Sequence, residues 1–121
     1  MKKVLIAEDD RFLASAYKLA FEGEKFQVDL AFDGQEAIDK IPSFQPDCII
    51  LDLKMPKLDG FGVLEEMKKH NIKIPVIIAT NLGQESDIVR GKALGAVAYI
   101  IKSETPITEV IKKAREVSNH S

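Results

Sequence analysis

Five short apolar runs punctuate the chain, and between them lie segments whose apolar residues recur at helical spacing. The runs cover residues 3–7, 26–31, 47–51, 75–79 and 97–101. Four are nearly continuous in apolar residues, the pattern of parallel strands covered on both faces. In the second, Phe26, Val28 and Leu30 alternate with Gln27 and Asp29, which predicts a half-exposed strand at a sheet edge.

The intervening segments carry helix start signals. Residues 11–21 offer Leu13, Ala16, Tyr17 and Ala20 as one face. Asp33, with Glu36 three residues on, forms a capping-box pattern ahead of Ala37, Ile38 and Ile41. Asp59 can cap the segment holding Val63, Leu64 and Met67. Residues 86–94, closed by Gly95, make the weakest helix because Gly91 lies inside them. The last helix is predicted with Thr105 as N-cap and Pro106 at its first position, and with a stripe of Ile107, Val110, Ile111, Ala114 and Val117. Strict alternation of strand and helix implies right-handed crossovers in an α/β fold, a (βα)5 doubly wound parallel sheet. With the second strand at an edge, the flavodoxin-like strand order 2-1-3-4-5 follows.

Composition adds bounds rather than chemistry. A length of 121 residues suits a single domain, 1–121, and 45% hydrophobic with 30% charged residues is ordinary for a globular one. Seventeen basic against nineteen acidic residues leave a net charge of −2, so no basic field draws in nucleic acid directly. The apolar runs are far shorter than a membrane span. The run after Met1-Lys2-Lys3 is too short for a secretory leader. Cys48 is the single cysteine and sits in an apolar run, so a buried core residue is expected and an internal disulfide is excluded. These features point to a cytoplasmic protein.

The chemistry lies at the strand ends. Ligands of open α/β sheets bind beyond the carboxyl ends of the strands, and there the chain carries Glu8 and Asp9, Asp52, Thr80 and Lys102. Polar residues collect at exposed strand ends in any case, and Asp9 or Asp10 also suits a plain N-cap. Three carboxylates packed together, however, repel one another and need compensation. A divalent cation together with Lys102 supplies it. Magnesium suits such hard oxygen donors, with manganese as the alternative ion. His70 and His120 are far apart in sequence and give no zinc cluster. An ammonium and a metal flanking Asp52 resemble the charge clamp of phosphoryl transfer.

Four stretches extend the likeness over nearly the whole chain. They are Val4-Leu5-Ile6-Ala7-Glu8-Asp9-Asp10, Asp47-Cys48-Ile49-Ile50-Leu51-Asp52-Leu53-Lys54-Met55-Pro56-Lys57-Leu58-Asp59-Gly60, Val76-Ile77-Ile78-Ala79-Thr80, and Ala98-Tyr99-Ile100-Ile101-Lys102. In this order and spacing they resemble the receiver domain of two-component response regulators, chemotaxis regulators among them. The resemblance implies that Asp52 accepts a phosphoryl group from a phosphohistidine on a sensor histidine kinase or phosphotransfer protein. It implies Mg²⁺ ligation by Asp9, Asp52 and the backbone carbonyl of Lys54, with Glu8 acting through water. Lys102 would pair with the phosphoryl oxygens, Thr80 would move to bond them, and Tyr99 would turn inward as the coupled rotamer. An unidentified downstream protein would read the fourth helix, fifth strand and fifth helix, and the domain would be a monomer with a phosphorylation-dependent dimer.

Three departures from the family pattern stand out. Ser103 follows Lys102 where the family usually has proline and often a cis bond; cis is costly before any other residue, which leaves the geometry of that loop open. Asn81 replaces a very small residue and could narrow access to the site. Neither Lys54 nor Leu82, at two variable positions, orients an attacking water, so a long-lived phosphoryl state is expected. Other functions remain open at this point. A haloacid-dehalogenase-like phosphohydrolase would want Asp-x-Asp, which Asp52-Leu53-Lys54 lacks. A flavin module would want a phosphate-binding loop where Glu8-Asp9-Asp10 would repel it. A degenerate receiver acting only as a protein-binding scaffold is the third.

Overall fold

The computed structural model describes residues 1–81 and 83–119. Five strands and five helices alternate: β1 (Lys2–Ala7), α1 (Arg11–Gly23), β2 (Phe26–Ala31), α2 (Gly34–Phe44), β3 (Cys48–Leu51), α3 (Gly60–Lys69), β4 (Val76–Thr80), α4 (Glu85–Ala93), β5 (Ala98–Ile101) and α5 (Ile107–Ser118). A 3-10 turn, Lys102–Glu104, joins β5 to α5. The strands form one parallel sheet in the order β2-β1-β3-β4-β5. The alternating second run is an edge strand, as its pattern predicts, and element ends differ from the expected ones by a residue or two.

The continuous runs are apolar on both sides because both sheet faces are covered. Val4, Ile6, Cys48, Ile50, Ile77, Ala79 and Ile100 pack with Tyr17 and Phe21 of α1 and with Val110, Ile111 and Ala114 of α5. On the other face Leu5, Ala7, Ile49, Leu51, Val76 and Ile78 pack with Ala37 and Ile41 of α2 and with Val63, Leu64 and Met67 of α3. Each fully buried aliphatic side chain contributes roughly 1.5–3 kcal/mol before entropy is counted. Phe21 closes α1 onto β2 through an edge-on contact with Phe26, ring centroids 5.0 Å apart. Cys48 is buried as expected, and burial raises its thiol to about 11.

Aspartates start the first three helices. Asp10 accepts from the Leu13 amide at 3.1 Å, Asp33 from Glu36 at 2.7 Å and Asp59 from Gly62 at 2.8 Å. Glu36 completes its box one residue early, accepting from the Phe32 amide.

Two expectations need correction. The inner face of α1 is Ala14, Tyr17 and Phe21, while Ala16 is exposed; an (i, i+3, i+7) stripe led by Ala14 satisfies the same periodicity. Thr105 is not an N-cap: its hydroxyl donates to the Ile101 carbonyl at 2.9 Å, and Pro106 is the cap residue, with an extended ψ of 148°. α4 is, as expected, the least buried helix, and Gly91 inside it sits close to the sheet: a Cβ there would stand 2.4 Å from Ile78 Cδ1.

Candidate functional site

Register brings the polar strand ends to one level. Ala7 pairs with Leu51, and Thr80 with Ile101, so Glu8, Asp52 and Lys102 each stand one residue beyond the ladder. The Asp52 amide donates to the Ala7 carbonyl at 3.1 Å and the Glu8 amide to Ala31 at 2.9 Å, prolonging the ladder to the site. Gly60 lets the start of α3 close against β3: a Cβ there would lie 2.4 Å from the Asp52 carbonyl oxygen. The Gly60 amide donates to Leu53 at 2.9 Å.

Carboxylate oxygens of Glu8, Asp9 and Asp52 lie within 4.8 Å of one another. Glu8 and Asp52 are buried, whereas Asp9 is exposed and borders the open side. Lys102 inserts its ammonium between the buried pair, bonding Asp52 Oδ2 at 2.7 Å and Glu8 Oε1. The other Glu8 oxygen accepts from the Asp10 amide at 3.0 Å, and Asp52 Oδ1 from the Lys54 amide at 3.4 Å. Burial raises the Glu8 carboxyl above its ordinary value, against the opposing pull of Lys102 and the Asp10 amide. For Lys102 burial pushes downward, but the bonds to Asp52 and Glu8 outweigh it and the ammonium is raised.

One cation against three carboxylates leaves the group short of positive charge. Hard oxygen donors at this spacing fit a divalent cation of the magnesium type. Asp9 on the open side and Asp52 beneath it are the groups that would hold one.

Thr80 is buried at the end of β4, opposite Ile101. Tyr99 is half-buried on β5, packed against the α3–α4 side of the sheet and 3.8 Å from the position a Gly91 Cβ would take. Burial, then the nearby Asp87, raises its hydroxyl. Among the described residues there is no cis peptide bond, so Lys102 and Ser103 are joined in trans. Asn81 turns to the neighbouring loop, where its Oδ1 accepts from the Ser103 amide at 3.0 Å. That bond spans 22 residues of chain, and no local sequence signal announces it. Tyr17 is a further neighbour of the site, and its place on the α1 stripe does not announce it. Burial raises its hydroxyl, and the charges of Lys102, Glu8 and Asp52 all act on it. His70 caps the far end of α3, beside Glu66 at 3.3 Å. Leu82 and His120 lie outside the described residues.

The family model of the response regulator receiver domain matches residues 4–114. The chain belongs to that family. Receiver domains are phosphoacceptor switches rather than enzymes with turnover, and the acidic group with Lys102 found here is consistent with phosphorylation-based switching through the α4-β5-α5 face. The receiver domain of the Francisella response regulator 1452 is 34% identical, with a TM-score of 0.93, over 99% of this chain and 98% of that one. A CheY-like receiver protein from Methanospirillum hungatei is 26% identical, with a TM-score of 0.91, over 99% and 95%. In sequence the receiver resembles the probable transcriptional regulator ycf27 of Guillardia theta, 37% identical over 87% of this chain and 41% of the relative. It also resembles PhoP of Bacillus subtilis, the alkaline phosphatase synthesis regulator, 33% identical over 87% and 44%. The chain thus spans less than half the length of these two curated relatives. Among the described residues no helix is long and apolar enough to cross a membrane.

Proposed function

We propose that Asp52 is the phosphoacceptor of a single receiver domain spanning 1–121. Its carboxylate attacks the phosphorus of a phosphohistidine on a sensor histidine kinase or phosphotransfer protein. A P–O bond forms as the P–N bond breaks, and the histidine keeps the electron pair. The observation that carries this reading is the Lys102 ammonium, held 2.7 Å from Asp52 inside a group of three carboxylates. A fixed cation beside the acceptor meets the charge that the incoming phosphoryl group brings.

Asp9, Asp52 and the Lys54 carbonyl would hold Mg²⁺, or Mn²⁺ as the alternative, with Glu8 acting through water. When bound, the cation neutralises charge on the phosphoryl oxygens. Lys102 gives up a carboxylate bond for a phosphoryl oxygen, and the Thr80 hydroxyl donates to another. Tyr99 shifts with Thr80, so the phosphorylated state gains contacts that the free state lacks. A cytoplasmic protein partner reads that state on the α4-β5-α5 face, with a dimer formed only on phosphorylation and no direct contact to nucleic acid.

The test is intact mass after incubation with Mg²⁺ and a small-molecule phosphodonor or a phosphorylated kinase. A hydroxylamine-labile adduct is expected on wild type and absent from Asp52→Asn. No adduct with any donor would leave the scaffold reading in its place.

A further inference from the structure

The β4–β5 ladder ends at Thr80 and Ile101. One residue beyond each stand Asn81 and Ser103's neighbour Lys102, the first in the loop to α4 and the second opening the 3-10 turn Lys102–Glu104. Early amides of such a turn lack partners within it. The Ser103 amide finds one in Asn81 Oδ1 at 3.0 Å, on the neighbouring strand's loop. At its other end the turn is closed by the Thr105 hydroxyl on the Ile101 carbonyl at 2.9 Å. We infer that Asn81 and Ser103 form a latch, a positioning pair that ties the Lys102 turn to the Thr80 end of β4.

The reason such a latch matters is mechanical. Lys102 reaches Asp52 and Glu8 on a four-carbon stem, so the placing of its backbone sets how far the ammonium can follow a change at Asp52. Asn81 follows Thr80 directly, and Ser103 follows Lys102 directly. One hydrogen bond between them, at the exposed ends of the two strands, couples the backbone that carries Thr80 to the backbone that carries Lys102. A proline at 103 has no amide hydrogen and could not make this bond; the departure of Ser103 from the family pattern is what permits it.

The inference rests on Asp52 as acceptor for its kinetic arm but not for its structural one. In the absence of any phosphodonor, Asn81→Ala is expected to speed exchange of the Ser103 amide and to shift the Lys102 ¹³Cε resonance. With a small phosphodonor, Asn81→Ala and Ser103→Pro are each expected to slow adduct formation by roughly fivefold, the worth of one neutral hydrogen bond. The double variant is expected to be no slower than either single one, because both break the same contact. Ser103→Ala, which keeps the amide, should rescue the rate. Unchanged Ser103 exchange in Asn81→Ala, additive slowing, or a Ser103→Ala variant as slow as Ser103→Pro would each overturn the latch. If wild type takes no phosphoryl group, the Asp52 reading fails, and the exchange and resonance measurements still decide the latch.

Discussion

In the first three βα units each helix begins with an aspartate whose side chain closes the first turn, at Asp10, Asp33 and Asp59. In the last two, Gln84 and Pro106 hold those positions and no side chain caps either helix. The contrast extends to packing. α3 buries Gly60, Phe61, Val63, Leu64 and Met67, whereas α4 buries Gly91 alone. All four residues of β3 are buried, but only Ile100 of β5 is. α5 regains depth through Val110, Ile111 and Ala114. Regions with few buried apolar contacts open locally at lower free energy than the rest. The part of the sheet that carries the acidic group is therefore the rigid one, and the α4–β5 region that a switch must shift is the looser one. Lys102 joins the two, reaching from the end of β5 to Glu8 and Asp52.

That join is where the comparison breaks most visibly. Lys102→Met leaves two buried carboxylates side by side, and removing one partner of a buried charge pair costs about 3 kcal/mol or more. Urea unfolding should show a loss of that order; a loss no larger than that of a surface ion pair would mean the two regions are not held together here. Gly60→Ala strikes the rigid region itself. The added methyl meets the backbone of Asp52 and Leu53, which cannot yield as a side-chain tip can, and about 2 kcal/mol of destabilisation is expected in the same measurement. Removing a cap should separate the two regions more finely. Asp33→Ala should cost about 1 kcal/mol, while Gln84→Ala, with no cap bond to lose, should stay within about 0.5 kcal/mol.

The smallest effect concerns pH. The Lys102 ammonium is raised by its carboxylate partners above the 10.5 of a free lysine. The folded form thus binds the proton more tightly than the unfolded chain. Its contribution is complete below 10.5 and is lost as pH rises through the folded value. Melting temperatures of wild type and Lys102→Met should therefore differ most at neutral pH and converge in strong alkali. A constant gap across that range would show that the lysine acts through packing alone.

Much of this contrast can be read along the chain before folding. The near-continuous runs at β1, β3 and β4 announce strands covered on both faces, and the Phe26–Val28–Leu30 alternation announces the edge. Asp33 with Glu36, and Asp59, announce their helices because a cap is a local bond between neighbours three residues apart. The acidic run after β1, Asp52 after β3 and Lys102 after β5 announce the site, since strand ends in such a sheet share one edge. By contrast, nothing near Gly91 in the chain announces its close approach to Ile78. Ala14 and Ala16 fit the same helical period, and only the docking of α1 on the sheet chose between them.

What the sequence by itself determined is the kind of element at each position and the residues each strand delivers to its end, because propensity, periodicity and capping act over a few residues. What only the tertiary structure decided is which of those residues touch. Lys102 bonds Glu8 across 94 residues and Asp52 across 50, and Asn81 bonds Ser103 across 22. Such contacts depend on sheet register and on how far each strand runs past its neighbour, and a shift of one residue would turn every side chain to the opposite face.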